Sequence, residues 1–218
     1  MPRLLLVLLL FAPYSSGAAE PFLEPGYIPL FDGQSLSGWE GATQPAESCW
    51  KAEQGMIICT GQKGTWLRSK DHHGDFNVRL EFKLKAGGNS GIYIRVPENG
   101  EHHGDGAGIE VQVLDDQAGQ YRNLKPYQYT GSLYAIAPAT QHVGREPGHW
   151  NSLEINCRGT RYHVIHNGVT IIATDESAFP ELKGRLTKGF LGLQNHSEEV
   201  WYRNLRIGPA IDLPVEAK

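Results

Sequence analysis

The chain has 218 residues, a formal net charge of −4, 26 Gly, 13 Pro, 9 His and 3 Cys. No run of Lys and Arg marks a nucleic-acid face, so the electrostatic footprint of a DNA or RNA binder is missing. Glycine and proline at this density favour short strands and turns over helices, and the length suits one all-β domain.

In chain order, Arg3 precedes an apolar run from Leu4 to Phe11, followed by Ser15, Ser16, Gly17, Ala18 and Ala19. This is the pattern of a secretory signal peptide, and the run is shorter than the roughly 20 residues of a membrane-spanning helix. Residues 1–19 are therefore expected to be removed, leaving residues 20–218 as a single domain, exported to the periplasm or secreted, without membrane insertion. A hairpin is expected next, with Cys49 and Cys59 at its ends. A three-residue loop at Glu53-Gln54-Gly55 would set the two thiols directly opposite one another, open to a disulfide in an oxidising compartment. Cys157 shares a face with Leu153 and Ile155 and reads as a buried small hydrophobe.

Period-two alternation predicts strands over Phe76–Lys85, Ser90–Val96, Gly108–Leu114, Trp150–Cys157, Arg161–His166, Val169–Asp175, Phe190–Gln194 and Val200–Ile207. Asn167-Gly168 is the signature of a type I′ hairpin, so the strands on either side should be antiparallel neighbours. No stretch sustains a helical period, which leaves a two-sheet antiparallel β-sandwich as the expected architecture. The long connections Pro97–Ala107 and Asp115–Gly131 would rim one end or face of it, where a cleft would form.

Alternation also sorts the side chains. Val78, Leu80, Phe82, Leu84, Ile92, Ile94, Val96, Ile109, Val111 and Val113 should face the core. Tyr93, Arg95, Glu110, Gln112, Gln194 and His196 should face the other way. Planar multidentate groups of this kind suit paired sugar hydroxyls, and aromatic rings suit the apolar face of a sugar. Trp66, beside a glycine-rich turn, is the best aromatic platform among the five tryptophans. The histidine pairs His72-His73 and His102-His103 read as solvated loop or strand residues, because no metal-ligand spacing such as HExxH is present.

Several strings carry a resemblance. They are Ile28-Pro29-Leu30-Phe31-Asp32-Gly33 with Leu36-Ser37-Gly38-Trp39, Asn89-Ser90-Gly91-Ile92-Tyr93-Ile94-Arg95, Gly108-Ile109-Glu110-Val111-Gln112-Val113-Leu114-Asp115, and Thr130-Gly131-Ser132-Leu133-Tyr134. Trp150-Asn151, Asn167-Gly168, and Gly192-Leu193-Gln194-Asn195-His196 with Arg203-Asn204-Leu205 complete the set. Together and in order they resemble the bacterial 3-keto-disaccharide hydrolase domain family across nearly the whole mature chain, with Ser197 where the family usually has Gly. The resemblance implies a concanavalin A-like jelly roll and activity on 3-keto-glycosides.

For such a substrate, Glu110 and His196 are the expected catalytic pair, one acting as the base and the other managing the oxyanion or leaving group. The two could instead share a divalent metal, the one cofactor left open. Arg95, Gln112, Tyr93, Gln194, Glu81, Asn89, Tyr134 and Trp66 are the expected substrate contacts. Eliminative cleavage competes with direct hydrolysis by two carboxylates, for which Glu81, Asp115 and Asp116 are the candidate partners of Glu110. A non-catalytic lectin-like module is the alternative from another class, since one sandwich serves both. An interaction domain of an envelope assembly is a third.

Overall fold

Residues with apolar side chains on alternate positions can bury them only by stacking two sheets, and the chain does so. The computed structural model describes residues 24–215 except 103 and 105. The expected signal peptide lies outside the described residues. In chain order the strands are β1 (Ile28–Pro29), β2 (Trp39–Gly41), β3 (Trp50–Glu53), β4 (Met56–Thr60), β5 (Leu67–His73), β6 (Phe76–Leu84) and β7 (Asn89–Val96). They continue with β8 (Ile109–Leu114), β9 (Asn151–Arg158), β10 (Arg161–His166), β11 (Val169–Asp175), β12 (Gly189–Leu193) and β13 (Glu199–Gly208).

One sheet runs β11-β10-β9-β6-β13-β4-β3, with β1 also on β13, and the other runs β2-β5-β12-β7-β8. Every pairing is antiparallel. The fold is thus the all-β, two-sheet sandwich expected. Between the sheets, Val78, Leu80, Phe82 and Leu84 of β6 meet Ile92 and Ile94 of β7 and Ile109, Val111 and Val113 of β8 in one apolar cluster. Among the described residues no helix is long and apolar enough to cross a membrane.

Two local features correct the expectations. In the first hairpin Glu53 pairs with Met56, so the loop is only Gln54-Gly55, both at positive φ (53° and 75°). This type I′ geometry shifts the register by one residue. Cys59 therefore lies opposite Trp50 instead of Cys49, and both cysteines, like Cys157, are buried free thiols. The second is a bulge between β7 and β12, where Phe190 pairs with Val96 but Gly192 pairs with Tyr93. One residue of β12, Leu191, is thus matched by two of β7, Ile94 and Arg95, and Arg95 takes φ 53° there. An extra residue reverses facing beyond it. Val96, expected in the central core, joins Trp66, Tyr93 and Phe190 on the outer face, and Arg95 turns inward.

Candidate active site

The outer face of the five-stranded sheet is assembled row by row. Glu110 of β8 is the cross-strand partner of Tyr93 of β7, Tyr93 of Gly192 of β12, Gly192 of Arg68 of β5, and Arg68 of Glu40 of β2. Directly opposed residues project from the same face, so these five positions form one line across the sheet. Gln112 and Asn89 share that face by alternation along β8 and β7. Tyr134 joins it at the edge, where its N–H donates to the Glu110 carbonyl at 2.8 Å while Leu133 pairs with core-facing Val111.

Glycines make room for the large side chains. A Cβ on Gly91 would lie 2.4 Å from Glu110 Oε1, and one on Gly192 would lie 2.4 Å from the Trp66 ring. The Glu110 carboxyl and the Trp66 indole therefore lie down over bare backbone. Trp66 meets Tyr93 edge to face at 5.3 Å between ring centroids, and His102 covers both, 4.4 Å from Tyr93 and 5.9 Å from Trp66.

Glu110 is only 3 % exposed. The Gln194 side-chain amide donates to Glu110 Oε1 and to the Tyr93 hydroxyl, each at 2.9 Å. Burial pushes the Glu110 carboxyl up to about 8, against the smaller opposing effect of the Gln194 donor. Burial, with the Glu110 charge beside it, also pushes the Tyr93 phenol up. Around neutral pH Glu110 thus stands between acid and carboxylate, the condition a group needs to move a proton in either direction. Two further acceptors on this face, Gln194 Oε1 and Asn89 Oδ1, are buried without a hydrogen-bond partner among the described residues. Gln112 Oε1 is taken by the Val113 N–H at 2.9 Å.

The structure therefore brings Glu110, Tyr93, Gln112, Gln194, Asn89, Tyr134 and Trp66 onto one face, and it excludes three other expected residues. Arg95 is 1 % exposed, donating to the Gly159 carbonyl at 2.6 Å and pairing with Asp75 at 3.0 Å. It ties the two sheets together instead of reaching substrate. Glu81 lies on β6, in the other sheet, and accepts from Arg203 Nε at 2.6 Å and Asn204 at 3.1 Å. His196 follows β12 in a loop, where its side chain is 53 % exposed and its Nδ1 sits 3.1 Å from Glu198 Oε2. Its imidazole faces solvent and Glu198, so the expected Glu110–His196 pair, as acid and base or as metal ligands, does not form. Among the described residues no group of three or more His, Cys, Asp or Glu side chains is arranged to hold a metal ion. Ser197 takes φ 68°, which explains the preference for Gly there. The other two carboxylate candidates are also engaged: Asp115 accepts from the Gly87 N–H at 2.7 Å, and Asp116 from the Thr130 N–H at 2.9 Å.

Sequence reasoning passed over His102, Arg68 and Glu40. The first lies in a loop without periodicity. The other two lie on strands that hide them, Glu40 because β2 is only three residues long and Arg68 because β5 is highly charged, reading Leu67-Arg68-Ser69-Lys70-Asp71-His72-His73.

A β-sandwich with a sequestered carboxyl among aromatic and amide groups on one sheet face defines a carbohydrate-handling class, and comparison with known proteins narrows it. The profile of the 3-keto-alpha-glucoside-1,2-lyase-like domain matches residues 26–208, and the chain belongs to that family. It is 29 % identical to the 3-keto-disaccharide hydrolase of Bacteroides thetaiotaomicron VPI-5482, over 84 % of this chain and 78 % of that protein. A crystal structure from Parabacteroides distasonis ATCC 8503, assigned provisionally to the glycosyl hydrolases, superposes with a TM-score of 0.73 at 27 % identity, covering 84 % of this chain and 98 % of the other. The non-specific endo-β-1,3(4)-glucanase SCLam of family GH16 shares the fold alone, with a TM-score of 0.58 at 9 % identity over 88 % of this chain and 95 % of that one.

Proposed function

We propose that the protein is a glycoside-cleaving enzyme acting on 3-keto-glycosides by elimination followed by hydration, with Glu110 as the proton-transfer group. The observation that carries this is the Glu110 carboxyl, buried beside Tyr93, held by Gln194 and pushed up to about 8.

A ketone at sugar C3 acidifies the C2–H bond. Glu110 as carboxylate removes that proton, and the resulting enolate expels the C1 substituent, which leaves as an alcohol once protonated. Water then adds across the C1–C2 double bond, with its oxygen going to C1 and a proton to C2. The sum is one glycoside and one water giving a 3-keto monosaccharide and an alcohol. Proton transfer of this kind is worth about 10²–10⁴-fold when the group's pKa lies near the working pH. The Gln194 amide holds the carboxylate in place, and Trp66 and Tyr93 supply the aromatic surface on which a sugar ring rests. Asn89 Oδ1 and Gln194 Oε1 would accept its hydroxyls. His102, lying over Tyr93 and Trp66, is placed to serve in the role expected of His196.

Elimination is favoured over two-carboxylate hydrolysis because, of the three candidate second acids, Glu81 belongs to the other sheet and is paired with Arg203, while Asp115 and Asp116 are engaged by backbone N–H groups. With residues 1–19 acting as a leader, the reaction would take place in the periplasm or outside the cell. Incubating the purified protein with a 3-keto-disaccharide should release monosaccharide. Binding without turnover would instead favour the lectin-like alternative.

A further inference from the structure

The row of side chains continues past Trp66 to a second polar station. The Arg68 guanidinium lies over the Phe190 ring, 4.2 Å from its centroid, and His72 packs against the same ring at 3.9 Å. Arg68 Nε donates to Glu40 Oε1 at 3.0 Å, and Arg68 Nη2 bonds the same oxygen. An arginine carries five N–H donors, so three remain, and Glu40 Oε2 takes no hydrogen bond from the described residues. Aromatic stacking and ion pairing fix both groups in place, which lowers the ordering entropy a ligand would otherwise have to offset. Spare N–H donors beside a spare carboxylate oxygen match a vicinal diol, one hydroxyl accepting and its neighbour donating.

Position decides which part of the substrate this would be. From Glu110 to Arg68 there are three strand intervals, about 14 Å at about 4.8 Å each, the reach of a disaccharide and not of a single ring. Beyond Glu110 in the other direction, among the described residues, only the irregular segment through Tyr134 follows β8 in the pairing. Gly192, the middle position, has no side chain, so between Tyr93 and Arg68 the floor is the Trp66 ring.

We infer that Arg68 and Glu40 form the leaving-group subsite: with the 3-keto ring over Tyr93 and Glu110, a hexose leaving group crosses Trp66 and presents adjacent hydroxyls to this pair. The inference rests on the proposed function and adds a substrate preference, for glycosides whose leaving group is itself a sugar over those with a small alcohol.

The test compares kcat/KM for 3-keto-trehalose, whose leaving group is glucose, with that for methyl 3-keto-α-glucoside. In wild type the ratio should favour the disaccharide, and Arg68→Ala and Glu40→Gln should each lower it at least tenfold. Arg68→Lys, which keeps the charge but loses the fork, should restore only part of it. Equal losses on both substrates, or a fall in melting temperature with the ratio intact, would assign the pair to holding β2 on β5 and overturn the inference. If wild type turns over neither substrate, the proposed reaction fails instead. Saturation-transfer NMR with trehalose then decides the subsite alone: transfer to the sugar that weakens in Arg68→Ala supports it, and equal transfer in the two proteins overturns it.

Discussion

Both sheets present an outer face of alternating polar residues, yet the two faces solve different problems. On the larger sheet the charges are paired and wet: Glu81 with Arg203, Arg79 with Glu24 and Glu154, and Lys83 lying over the Trp150 and Trp201 rings. Such pairs are worth about 0–1 kcal/mol each and serve to close a surface. On the smaller sheet the Glu110 carboxyl is buried with the Gln194 amide donating to it, and glycines at 91 and 192 let large groups lie flat. Polar alternation alone does not mark a site. A carboxyl held out of water, at a cost to folding, does.

The comparison can be broken by substitution. The largest effect should come from Glu110→Gln, which should lower turnover by about 10²–10⁴-fold. Its stability should move the other way. The folded chain keeps the Glu110 proton up to about pH 8, whereas an unfolded carboxyl releases it near the ordinary 4.5. Stability due to this group is therefore full below about pH 4.5 and is lost as pH rises toward 8. Thermal melts of Glu110→Gln should show that loss removed, with a higher melting temperature than wild type at pH 8 and little difference at pH 4.

Gly91→Ala places a methyl 2.4 Å from Glu110 Oε1 and should displace the carboxyl, lowering kcat by about 10²-fold with a native circular dichroism spectrum. Gln194→Leu removes the donor that opposes burial, so the midpoint for ionising Glu110 should move to higher pH in the pH–rate profile. On the other face, Glu81→Gln should change kcat/KM less than twofold and stability by about 0–1 kcal/mol in urea melts. A large activity loss there would erase the distinction between the faces.

The sandwich was legible because a long strand such as β6 buries alternate residues from Val78 to Leu84 without interruption. Glu110, Gln112 and Tyr93 were placed correctly because nothing breaks the alternation between them. Arg95 was not, because facing counts only up to the first bulge and the sequence Ile94-Arg95-Val96 carries no glycine or proline to announce one. Arg68 and Glu40 were hidden in strands too polar or too short to read, and His102 in a loop where position follows from packing and not from periodicity. For His196, alternation was extended beyond the end of β12 at Leu193, where the chain leaves the sheet.

The central claim is that Glu110 moves the proton at sugar C2. Turnover of a 3-keto-disaccharide in D₂O tests it most directly, because elimination and hydration place one solvent deuteron at C2 of the released 3-keto sugar, whereas direct hydrolysis places none. One deuterium at C2 for each glycosidic bond broken by wild type, with both cleavage and incorporation lost in Glu110→Gln, is the predicted result. Cleavage without deuterium at C2, or incorporation that persists in Glu110→Gln, would contradict it.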